Sequence, residues 1–277
     1  MPTAPARASA GAEGARRVVA VLRAFSARRH TLTARDLAEL TAIPLPSLYR
    51  YLALLRDTGL VAADERGVYR LSPQLLALAR AAEAAEPMIA AADPVMRELA
   101  AECGETVLLV RLVTRVPVCV HRVAPEPVEA VPVEAEPVEA EPVEPVPFGA
   151  VAVEPGQELP LLRGASGWVL LAGLPERQQR QYLAPLARVD PASAAELERT
   201  IACVAARGWA VSEVSEEEAG LAGWAASAAV TDGPATVAAL TVAAPLLPAT
   251  ALRERLAGQV RVAAARLTQQ LAKGKLS

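Results

Sequence analysis

Apolar residues in the first sixty positions of the chain fall at helical intervals. In RRVVAVLRAFS, residues 16–26, Val18, Val19, Leu22 and Phe25 take one side and the arginines the other. After a polar break, Thr33 is a candidate N-cap for a second helix in which Leu37, Leu40 and Ile43 lie together before Pro44 interrupts it. Pro46 opens a third helix, with Leu48, Leu52 and Leu55 at i, i+4 and i+7 and Gly59 at its end. Ser47, Tyr49 and Arg50 fall off that stripe. Two short strand-like runs, Leu60-Val61 and Val68 to Leu71, then flank the charged turn Asp64-Glu65-Arg66-Gly67. Three helices and a hairpin in this order predict a winged helix-turn-helix. Its third helix would present its first turn to base edges, and its hairpin would reach flanking phosphates.

Beyond this the period changes. Residues 75–92, LLALARAAEAAEPMIAAA, predict a linker helix with a break at Pro87, of the kind that pairs across a dimer. Asp93-Pro94 opens a further helix, and VLLVRLV and PVCVHRV read as two strands about a turn at Pro117. VAVEPGQELPLLRGASGWVLLAGLPE predicts a strand, a glycine turn and an amphipathic helix. LERTIACVAARGWAVSE predicts a helix that ends at Gly208 and leads into a strand. A strand pair across Asp232-Gly233-Pro234 and a last helix from Ala249 to Leu271 complete an α+β domain, an antiparallel sheet with helices on its faces. The expected organisation is a tail over residues 1–14, a DNA-binding domain over 15–74, the linker over 75–92 and a sensor-like domain over 93–277.

Charge changes the picture more than bulk composition does. The net charge of −3 conceals an asymmetry: residues 1–80 hold 12 arginines against six carboxylates, and the remainder 16 basic against 25 acidic residues. The N-terminal part therefore suits a polyanion. Between Pro125 and Pro147, PVE recurs with a five-residue period among seven prolines and seven glutamates, a composition that forms no core. This predicts an acidic, extended insertion between strands, whose functional alternative is a docking segment for a basic partner or a decoy that competes with DNA. No apolar run approaches a membrane span and the N-terminus carries no signal core, so a soluble, cytoplasmic protein is expected. Cys103, Cys119 and Cys203 lie far apart beside two histidines. That spacing excludes a zinc or disulfide pattern, predicts buried thiols and implies no cofactor.

The run LTARDLAELTAIPLPSLYRYLALLRDTGLVAADERGVYRLSPQLLALA resembles the DNA-binding half of the IclR family of bacterial transcription regulators. The resemblance implies that Ser47, Tyr49 and Arg50 meet DNA and that Arg35, Arg66 and Arg70 contact its backbone. Leu45 stands where the family often has lysine and Pro46 where it often has serine, so this chain would lean on Arg50 or on apolar contact with thymine methyls. Later segments, LPLLRGASGWVLLAGLPE, ARGWAVSE, GLAGWAASAAVTDG and VAALTVAAP, resemble the family's effector-binding domain, which has a GAF-like fold. This implies a ligand held by backbone amides at Ala165 and Ser166 and by Ser212, Gly223 and Thr241, with Trp224 nearby. Leu162 and Trp168 replace a usual histidine and lysine, so with Trp209 and Trp224 the pocket would suit an apolar or aromatic effector.

The partners so implied are double-stranded operator DNA, a second copy in a dimer or dimer of dimers, a small organic effector, and RNA polymerase if the protein activates. No membrane is implied. Two alternatives remain: a DNA-binding protein whose C-terminal domain is effector-independent, and a GAF-type thiol redox enzyme using Cys103 and Cys119. The second lacks any basic pattern to activate the thiols, and the chain carries no Gly-rich phosphate loop or Ser-His-Asp set, so no enzyme is expected. His121 would share a strand face with Cys119 and satisfy a local hydrogen bond.

Overall fold

A computed structural model of the chain describes residues 10–26, 29–125, 153–214, 223–245 and 247–274. It divides into two compact units, Met1–Glu86 and Pro87–Ser277. The expected Pro-Glu insertion lies, from residue 126 on, outside the described residues, as does most of the N-terminal tail.

In the first unit, α1 (Ala10–Arg23), α2 (Ala34–Thr41) and α3 (Leu45–Asp57) pack over a three-stranded sheet of order β1-β3-β2, with β1 Thr31–Thr33, β2 Val61–Ala63 and β3 Val68–Leu71. The α3 stripe is as the spacing predicts: Leu48, Leu52 and Leu55 are buried. Two expectations need correcting. On α1, Val21 takes the buried place and Val19 is exposed, and on α2, Leu40 is exposed while Leu37 and Ile43 are buried. Ile43 lies past the helix end, where Ala42 adopts a left-handed conformation that turns the chain into α3. Thr33 and Asp36 form a capping box, the Thr33 hydroxyl accepting from the Asp36 amide and the Asp36 carboxylate accepting from the Thr33 amide. The Thr33 amide and then the Thr33 hydroxyl, both donating to it, hold the Asp36 carboxyl below the usual range. The short β1, which escaped the sequence pattern, pairs with the wing through Thr31 and Arg70. A helix α4 (Leu75–Ala84) ends the unit.

The second unit opens with α5 (Pro87–Cys103), which runs unbroken through Pro94 rather than starting there. Its five-stranded antiparallel sheet has the order β5-β4-β8-β7-β6, with β4 Thr106–Val113, β5 Val116–Val123, β6 Trp209–Val214, β7 Gly223–Asp232 and β8 Ala235–Ala244. The β4–β5 turn uses Thr114 and Arg115, both at positive φ, and the expected turn residue Pro117 is buried inside β5. One sheet face packs on α5 and on α9 (Thr250–Gly274) through Val107, Leu109, Trp224, Leu240, Val242, Leu256 and Leu267. The other packs on α6 (Gly164–Ala172) through Leu108, Val110, Cys119, Val169 and Leu170. Outside α6 lie α7 (Glu176–Val189), which the pattern did not reveal, and α8 (Pro191–Arg207), capped by Asp190 and closed by Gly208. Residues 153–159 form no full strand but line the outer edge of β5, with Cys119 and Gln157 and then Gly156 and Cys119 exchanging backbone hydrogen bonds.

Candidate functional site

In the first unit the candidate reading surface is what the core stripe of α3 leaves over. With residues 48, 52 and 55 turned inward, Leu45, Pro46, Tyr49 and Arg50 are exposed and Ser47 is half-buried. Arg35 is exposed on the first turn of α2, and Arg66 and Arg70 are exposed on the wing. Asp64 accepts from the amides of Arg66 and Val68, which fixes the wing tip. The surface thus combines one helix end that can enter a groove with arginines on two flanking elements.

In the second unit the candidate site is the α6 face of the sheet, and strand register shows what shares it. One cross-strand row is Ser212, Ala225, Ala243 and Thr106; the next is Ala210, Ser227, Thr241, Leu108 and Arg122. Ala210, Ala225 and Ala243 keep the floor low between the hydroxyls. Ser212, Ser227, Thr241 and Thr106 are all buried. Ser227 and Thr241 bond to each other at 2.8 Å, and the Ala165 amide donates to Ser212 Oγ at 2.9 Å. The latter bond pins the N-terminus of α6, whose first amides have no partner within the helix, over the β6 end of the floor. Gly167 lets α6 approach closely: a Cβ there would stand 2.5 Å from the carbonyl oxygens of Pro160 and Leu161. The Thr106 hydroxyl is buried without a partner among the described residues. The Arg122 guanidinium stands 3.9 Å from Glu154 with a side chain only 20% exposed.

Of the expected effector residues, Ala165 and Ser212 touch and Thr241 shares their sheet face one row on, with Ser166 half-buried beside Ala165 and Gly223 on the same face at the β7 edge. Gly223 has φ 134°, and a Cβ there would meet the Ala244 carbonyl at 2.0 Å. Trp224 is not among them: as the neighbour of Gly223 in a strand it points to the opposite face, into the α5/α9 core. Trp209 packs on that same core, with the guanidinium groups of Arg207 and Arg261 over its ring at 4.3 and 5.2 Å from the centroid. The expectation that these two tryptophans widen the apolar pocket is corrected by strand parity. Trp168 stays on the α6 side, its indole donating to the Leu162 carbonyl. Ser227, Thr106 and Arg122 were missed, although strict alternation from Thr241 through its paired strands would have found the first.

Cysteine chemistry is likewise relocated. A bulge between Leu109 and Val110 carries β5 past one extra residue, so Cys119 faces α6 while His121 faces α5. His121 Nε2 lies 2.7 Å from Asp93 Oδ1, a long-range contact and not the local one expected. Arg97 and then His121 hold the Asp93 carboxyl below its ordinary value. Burial pushes the Cys119 thiol up to about 12 and raises Cys103 as well, so both stay protonated at neutral pH. Cys203, expected to be buried, is exposed on α8. Among the described residues no cluster suits a metal ion, and no helix is long and apolar enough to cross a membrane.

A winged helix-turn-helix joined to an α+β domain with buried hydroxyls under one helix defines a two-part regulator. The comparisons give it its family. Residues 14–65 match the IclR helix-turn-helix domain, and residues 143–269 match the bacterial transcriptional regulator IclR C-terminal domain. The chain belongs to the IclR family of transcriptional regulators. Among solved structures it is similar to a transcriptional regulator of Rhodococcus sp. RHA1 (28% identity, 94% of this chain and 98% of the other, TM-score 0.66). It shares its fold with an IclR regulator of Silicibacter sp. TM1040 (23% identity, 94% and 96% covered, TM-score 0.69). The same holds for an IclR homologue of Microbacterium hydrocarbonoxydans in complex with 4-hydroxybenzoate (23% identity, 93% and 98% covered, TM-score 0.68). No curated protein matches the chain.

Proposed function

We propose that this regulator binds a near-palindromic operator as a homo-oligomer in the cytoplasm and that a small organic effector, seated on the α6 face of the sheet, sets its operator affinity. The observation that carries the effector half is the buried hydroxyl set, Ser212 beneath the α6 N-terminus and Ser227 with Thr241 one row on, beside Ala210, Ala225 and Ala243. A helix N-terminus over such a floor offers amide donors and a partial positive charge at one end and apolar surface beyond, which suits a small acid with an apolar or aromatic body. The 4-hydroxybenzoate bound by the Microbacterium relative is of this chemistry.

In the DNA half, Arg50 makes a polar base contact from α3 with Ser47, Pro46, Leu45 and Tyr49 beside it, while Arg35, Arg66 and Arg70 hold the phosphates. An effector changes operator affinity only through unequal affinity for two arrangements of the protein, and residues 75–92 carry the chain between reading and sensing units. The test is operator affinity with and without an effector found by screening small carboxylic acids, in the wild type and in Ser166→Trp. Bulk at the start of α6 should abolish the response and leave unliganded binding near normal. A variant with undiminished response places the effector elsewhere, and a wild type that no acid affects favours an effector-independent protein.

A further inference from the structure

The exposed side of α3 is unusually poor in hydrogen-bonding groups for a helix that reads DNA. Leu45 is 41% exposed and Tyr49 53% exposed, one turn apart, and Ala53 continues the line at the next turn. Pro46, also exposed, lies beside Leu45 and has no amide to donate. Arg50 is the one charged side chain in these first two turns. The core does not need these apolar groups, because Leu48, Leu52 and Leu55 already fill it. Single exposed apolar residues need no explanation, but a leucine and a tyrosine stacked at i and i+4 on the face flanked by Arg35, Arg66 and Arg70 have a charged surround that selects their partner. That partner is a polyanion with apolar points in its groove, and in the DNA major groove those points are the C5-methyl groups of thymine.

We infer that Leu45 and Tyr49 are specificity-determining residues that read thymine methyls, with Arg50 supplying the polar contact. This rests on the assignment of α3 to operator reading. It implies half-sites with at least one thymine facing the first turn of α3 and a base pair next to it that accepts from arginine.

The experiment uses the full-length protein and an operator selected from random duplexes, in which each thymine is replaced in turn by uracil, a change that removes the methyl and nothing else. At one or more positions per half-site, uracil should weaken binding about fourfold, equivalent to ~0.8 kcal/mol per lost methyl. Leu45→Ala should weaken binding to the thymine operator by a similar factor and make it indifferent to uracil at that position. Tyr49→Phe, which keeps the ring and removes the hydroxyl, should retain its sensitivity. Because both side chains are exposed, the melting temperature of each variant should match the wild type and confirm folding. Equal affinity for every uracil-substituted operator overturns methyl reading while leaving operator binding intact. Failure to select any duplex over random DNA removes the operator assignment itself and the inference with it.

Discussion

Removing the Thr241 hydroxyl should cost more stability than removing both hydroxyls of its pair. Thr241 and Ser227 are buried, and their side-chain oxygens lie 2.8 Å apart on the alanine floor beneath α6. Thr241→Val keeps the shape and strands the Ser227 hydroxyl away from water. A buried hydroxyl deprived of its partner costs about 1–3 kcal/mol, whereas replacing both partners by apolar groups is nearly neutral. For a unit of this size each kcal/mol moves the melting temperature by roughly 2–4 °C. Thr241→Val and Ser227→Ala should each therefore lower it by about 2–12 °C. The double variant should recover most of that loss. Thermal unfolding of the four proteins, followed by far-ultraviolet circular dichroism, measures the cycle. If the pair also serves the effector, the double variant will be stable yet unresponsive, which separates a binding role from a structural one. Additive losses, with the double variant as unstable as the sum of the singles, would refute the reasoning: the hydroxyls would then be satisfied independently and would not form a pair.

The Asp93–His121 contact that ties α5 to β5 gives a pH-dependent prediction. Asp93 has a depressed pKa, owing first to Arg97 and then to His121, so its contribution to stability is present above the ordinary carboxylate range and is lost as pH falls through the depressed value. Asp93→Asn should melt below the wild type at neutral pH, and the gap should close in strong acid; a gap that persists unchanged there would show that the carboxylate charge is not responsible. Deleting residues 125–147 removes seven negative charges and leaves a chain with net charge +4. A segment of this composition contributes little burial, so the melting temperature should hold while non-specific DNA binding strengthens, and a fall of many degrees would mean that the segment packs as structure.

What could be read in advance depended on periodicity. The α3 stripe and the β7–β8 hairpin carry unbroken patterns with glycine or proline punctuation, so they were legible to within a residue or two. The α1 and α2 faces were misjudged at Val19 and Leu40, because in short helices a neighbouring side chain or a residue past the helix end can take the core position. The β5 bulge was invisible, since an inserted residue leaves no mark in PVCVHRV yet flips His121 away from Cys119. In the second unit, the residues that family resemblance singled out, Ala165, Ser212 and Thr241, lie on the α6 side of the sheet. The tryptophans misled because apolar bulk says nothing about which sheet face it occupies, and strand parity assigns Trp224 to the α5/α9 core. Polar residues such as Arg122 and Thr106 went unnoticed inside apolar strands, where their inward direction follows only from the register.

Arg50 offers the most direct measurement of the central claim, that α3 reads an operator. The ratio of affinities for a selected operator and a scrambled duplex, taken at one salt concentration, compares the wild type with Arg50→Ala. The account predicts that the variant loses about 1–3 kcal/mol of discrimination, roughly a 5- to 150-fold collapse of the ratio, while its affinity for scrambled DNA changes far less. A variant that keeps the wild-type ratio would contradict it.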